Sequence, residues 1–137
     1  MEKIYSKEDH KILLHIVYRK DDILNFRDNI TPAEEYLQVA AIKMEKGRTF
    51  KAHKHIHQER YTDIAQESWV VIRGKIKAIL YDLDDSVVAT PILNEGDCSI
   101  TFRGGHNYEC LEDDTMVYEY KTGPYQGVDK DKVLLEV

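Results

Sequence analysis

The chain has 137 residues, 42% of them apolar and 32% charged, with 19 basic against 25 acidic side chains and a formal net charge of −6. This is the profile of one globular domain large enough to bury its own core. It argues against a broadly basic nucleic-acid-binding face, and no apolar run nears the ~20 residues that a membrane-spanning helix needs.

Residues 1–10 lack the basic start and long apolar stretch of a secretory leader, so a cytoplasmic setting is expected. Cys98 and Cys110 are then expected as free thiols. K-I-L-L-H-I-V-Y, with β-branched and aromatic members, reads as a buried strand or a short helix. Thr31, Pro32 and Glu34 offer a cap, a first-turn proline and a capping-box partner for a short helix.

From about Tyr36 the pattern becomes a succession of strands. Y-L-Q-V-A-A-I-K-M leads to a turn at 45–47, and T-F-K-A-H-K-H-I-H follows. S-W-V-V-I-R runs to Gly74, placed for a hairpin before K-I-K-A-I-L-Y-D. V-V-A-T-P-I-L, C-S-I-T-F, H-N-Y-E-C-L and M-V-Y-E-Y-K complete the series, with turn residues between them. Short strands at regular spacing predict an all-β sandwich or barrel. The tail beyond Gly123–Pro124 carries V-L-L, an apolar patch for the body of the protein or for a second subunit.

The residues with the most chemistry lie between Gly47 and Gly74, where His53, His55 and His57 alternate with Lys54 and Ile56. On an extended strand, side chains two apart share a face at about 6.6–6.8 Å spacing, so two neighbouring imidazoles can converge on one ion. A solvated edge strand would show the same run. Downstream stand Glu67, then Gly96 and the turn Gly104–Gly105 ahead of His106.

These residues together resemble the cupin superfamily over roughly residues 40–121. Gly47, His53 and His55 match the start of its first motif in spacing, and Glu67 and Gly74 match its end. Gly96, Gly104 and His106 resemble its second motif. The chain departs from the pattern in three ways. Eleven residues separate His55 from Glu67, Phe102 stands where the family has proline, and Cys110 stands where it has asparagine.

The resemblance implies a cupin-type jelly roll with a short irregular or helical N-terminal extension. It further implies a divalent metal ion (Zn, Mn, Fe or Ni) held by His53, His55, Glu67 and His106, with His57 a rival to His53. Tyr108, sharing a strand face with His106, and His57 are the candidate catalytic groups. Arg60 and Arg103 are cations suited to a phosphate or carboxylate.

The expected function is a metal-dependent isomerase or epimerase of a small polar substrate, such as a phosphorylated or nucleotide-linked sugar. An Fe(II)-dependent oxygenase and a non-catalytic small-molecule binding protein are the alternatives. A homodimer is expected from the resemblance alone.

Overall fold

A computed structural model describes all of residues 1–137. Eleven strands form: β1 (Glu2–Tyr5), β2 (Leu13–Tyr18), β3 (Arg27–Asn29), β4 (Ala40–Ile42), β5 (Glu67–Arg73), β6 (Lys75–Tyr81), β7 (Val87–Ala89), β8 (Ile92–Asn94), β9 (Cys98–Thr101), β10 (His106–Cys110) and β11 (Met116–Lys121). A single-turn helix, α1 (Val128–Asp131), precedes the tail. No helix is long and apolar enough to cross a membrane.

The strands assemble into an antiparallel five-stranded sheet in the order β1-β2-β9-β5-β11. A second sheet runs β10-β6-β7, with β8 also on β6, and β3 and β4 form a small third sheet. The first two sheets pack face to face. Ile4, Val17 and Val71 from one meet Ile76, Ala78, Leu80 and Leu93 from the other. Alternation along β2 sends Ile16 and Tyr18 to the opposite face, where they join Ile30, Cys98, Ile100 and Phe102 in a second core. Leu37, Val39 and Ala41, along the third sheet, cover that core.

The all-β expectation therefore holds. No closed barrel forms, because β10 pairs only with β6 and β11 only with β5, leaving each with an open edge.

Three local expectations change. Gly74 does not close a hairpin: β5 and β6 lie in different sheets, so this residue carries the chain from one layer to the other. Its φ is +79°, and a Cβ there would sit 2.3 Å from the Thr115 hydroxyl, so glycine alone fits the crossing. Thr31 caps no helix. Its hydroxyl accepts from the Val39 N–H at 3.0 Å and ties the covering segment back on itself.

The largest change concerns residues 43–66, where no strand forms. Its backbone bonds are few: the N–H groups of Lys43 and Arg48 reach the carbonyls of Phe26 and Glu45, and the carbonyl of Gln66 accepts from Thr122. The physical reason lies in the alternation itself. One row of T-F-K-A-H-K-H-I-H carries Thr49, Lys51 and the three histidines, and the other, Phe50, Ala52 and Ile56, is interrupted by Lys54, so neither offers a continuous apolar row to a sheet.

Candidate functional site

One crossing and one strand start bring the site together. The chain passes from β9 to β10 through Gly104, whose φ is +77° and whose Cβ would lie 2.3 Å from the Tyr81 carbonyl oxygen. His106 follows as the first residue of β10, and Glu67 opens β5 in the facing sheet. Strands from both layers thus deliver one imidazole and one carboxylate to the same end of the sandwich.

His106 donates from Nε2 to Oε1 of Glu67 at 3.0 Å, and the Trp69 indole donates to the same oxygen at 2.7 Å. Trp69 lies two residues beyond Glu67 on the same strand face, which is how its indole reaches the carboxylate. Burial pushes Glu67 up, but the hydrogen bond and charge of His106, helped by the Trp69 indole, outweigh it. The carboxyl titrates below its ordinary value. On the other side of the imidazole, Nδ1 of His106 is buried and has no hydrogen-bond partner.

Behind this pair, Tyr108 stacks on Trp69 with ring centres 4.1 Å apart and planes 17° apart. Its hydroxyl bonds to Ser99 Oγ at 2.8 Å, and burial holds the phenol well above its ordinary range. The residue shares a face with His106, but its polar end is turned into the packing and it does not line the cavity. It buttresses Trp69 and the imidazole.

The cavity in front of the pair measures about 580 Å³, within the range of small-molecule sites. Glu67, His106, Tyr81, Phe102 and Arg103 line it on the sandwich side, and residues of the C-terminal tail close it on the other. Arg103 holds Glu35 through Nη1 at 2.8 Å, leaving its remaining N–H donors outside that pair. At the tail, Lys121 pairs with Asp131 at 3.0 Å, and Leu135 packs on Gly105.

His53, His55 and His57 lie elsewhere, exposed on the segment without strands. His53 donates from Nδ1 to the Lys51 carbonyl at 2.9 Å, and its ring sits 5.8 Å from that of His55. No three of the chain's histidine, cysteine, aspartate and glutamate side chains are gathered as a cation would need. Of the four expected ligands, the fold brings Glu67 and His106 together and leaves His53 and His55 apart from them.

The Glu35–Arg103 pair and the tail escaped the sequence reading in different ways. Partners 68 positions apart leave no local signal, whereas V-L-L in the tail was a visible apolar patch without an address. Compared with protein-family models, curated proteins and solved structures, the chain finds no match in any of the three.

Proposed function

We propose that this chain is a cupin-type metalloprotein acting on a small polar substrate, and that its reaction is an isomerisation or epimerisation of a sugar derivative. The observation that carries the reading is the Glu67–His106 pair at the cavity wall. A carboxylate kept ionised stands beside an imidazole whose second nitrogen is buried without a partner. Carboxylate plus imidazole is a donor set that suits divalent ions, and an ion held by both would take the place of the proton now shared between Nε2 of His106 and Oε1 of Glu67.

Two ligands hold an ion weakly, and the chain carries the others in a segment that has no place of its own. β10 offers an unpaired edge beside His106, and residues 49–57 have the alternation of a strand. In the proposed loaded state this segment adds to that edge, as an extended peptide adds to any open sheet. The addition brings His53 and His55 to Glu67 and His106. His57 then shares their face and stands next in line as the proton-moving group, while Tyr108 supports the imidazole.

The ion would supply polarisation of substrate oxygens, which makes a neighbouring C–H bond more acidic. Arg103, with donors beyond those spent on Glu35, is positioned to take a phosphate or carboxylate of the substrate. This supports a phosphorylated or nucleotide-linked sugar as the substrate class.

Elemental analysis of protein purified without added metal tests the centre, and proton exchange from D2O into candidate sugar phosphates tests the reaction. About one ion per chain is expected, lost in both His106→Ala and the His53→Ala/His55→Ala double variant. A metal-free wild-type protein that also takes up no added Zn or Mn would end the metalloprotein reading. Oxygen-dependent turnover with no deuterium uptake would replace the isomerase by the oxygenase.

A further inference from the structure

β11 presents a surface that nothing in the chain covers. Val117 points into the core between the two large sheets, so Glu119 and Lys121 share that inner face and Met116, Tyr118 and Tyr120 project outward. Val70, the residue opposite Tyr118, is only partly buried against the second core. Tyr118 and Tyr120 are left 56% and 55% exposed, with ring centres 6.1 Å apart.

The backbone of the same strand is open as well. Thr122 donates its N–H to the Gln66 carbonyl at 3.0 Å. That sets the alternation of an antiparallel ladder, so Glu119 and Lys121 turn their N–H and C=O groups away from β5. Unpaired edges of this kind are usually blunted by a bulge, a proline or a charge aimed at an incoming strand. Here the bulge lies at Met116–Val117, residues 118–121 pair regularly, and Glu119 and Lys121 are inward-pointing charges of that kind, so an incoming strand must pair both of them to add.

We propose that a second copy of this chain docks on β11, the two strands pairing antiparallel about a two-fold axis at Tyr120. Charge selects that register. With Tyr120 opposite Tyr120 of the partner subunit, Glu119 stands opposite Lys121 of the partner subunit, and the pair occurs twice by symmetry. Sliding by one residue on each strand places Glu119 against its own copy, and like charges directly opposite are destabilising. The next register, centred on Tyr118, sets Glu119 against Val117 of the partner subunit with no charge partner.

Lys121 can serve both neighbours. Its ammonium has three donors; Asp131 takes one at 3.0 Å and the Tyr125 ring lies 4.4 Å away, which leaves N–H groups for Glu119 of the partner subunit. The outward tyrosines then close over the joint, and the two five-stranded sheets become one of ten. The interface adjoins the cavity, since Lys121 stands opposite Glu67 on β5 and holds Asp131 of the cavity wall.

Sedimentation equilibrium across a hundredfold concentration range tests it, with circular dichroism confirming that each variant keeps its strands. The wild-type chain is expected at twice its 16.0 kDa mass. Tyr120→Asp and Glu119→Lys are each expected to raise the dimer Kd at least tenfold, and Glu119→Lys/Lys121→Glu to recover at least half of that loss. A wild-type chain at single mass, as it would be if its own 43–66 segment covered the strand, overturns the proposal. So does a dimer that both single variants leave intact.

Discussion

The Nε2 of His106 and the Oε1 of Glu67 stand 3.0 Å apart although 39 positions separate them in the chain. The contact joins the first residue of β10 to the first residue of β5, one from each large sheet. It is therefore a property of the sandwich and of neither strand alone. The oxygen that receives the imidazole also receives the Trp69 indole, so the carboxylate is held from two directions.

Replacing Trp69 by Phe keeps the stack on Tyr108 and deletes the indole donor. The loss of a hydrogen bond to a charged group is expected to cost about 1.5–3 kcal/mol. The Glu67 titration should move upward, since the donor that favoured the ionised form is gone. Urea melts and carboxyl NMR titration check the two effects separately.

His15 is fully buried between Thr101 and Tyr81. Its Nε2 donates to the Tyr81 carbonyl at 3.0 Å, so its Nδ1 accepts from the Thr101 hydroxyl, also at 3.0 Å, and the ring is neutral. Burial lowers its pKa from 6.5 to about 4, the Tyr81 bond opposing and the nearby His106 charge adding to the drop. The unfolded chain then binds a proton that the folded one refuses.

The contribution of His15 is accordingly complete above pH 6.5 and declines as pH falls toward 4, by about 3 kcal/mol across that window. His15→Gln, whose amide can donate to Tyr81 and accept from Thr101, should be less stable at pH 7 and should flatten this slope. Denaturant midpoints measured from pH 7 to 4 decide the point.

Two adjacent glycines are expected to respond differently to alanine. At Gly104 the new Cβ meets a backbone oxygen at 2.3 Å in a left-handed conformation, and a loss of about 2–4 kcal/mol follows. At Gly105 it meets Leu135 Cδ1 at 2.6 Å, the far end of a flexible side chain, so the loss should stay below about 1 kcal/mol. The second variant should instead loosen the tail, read as faster amide exchange at residues 134–136.

Residues 43–65 contain no buried side chain and few backbone bonds, so trypsin should cut first at Lys51, Lys54 or Arg60. If the segment joins β10 around an ion, adding Zn or Mn should slow that cleavage at least fivefold in the wild-type chain. His106→Ala should show no such protection. Equal cleavage with and without metal in the wild type would separate the segment from the site.

The alternation in S-W-V-V-I-R, K-I-K-A-I-L-Y and C-S-I-T-F was enough to place β5, β6 and β9, because each strand buries a row of apolar side chains that the sequence displays. Glu67 and His106 could be singled out only through the resemblance, from the spacing of Glu67 to Gly74 and of His106 to Gly96 and Gly104. Which sheet each strand joins was not legible. Gly74 reads alike as a hairpin or as a crossing, and only the packing of Val71 against Ile76 and Leu80 from the facing layer decides between them. The histidine run shows the limit from the other side: its period is that of a strand, yet a strand exists only where a neighbour accepts its backbone bonds. Composition and period determined that this chain builds β-sheets around two apolar rows. The tertiary structure decided which polar groups meet, because those contacts depend on long-range pairing that no local pattern encodes.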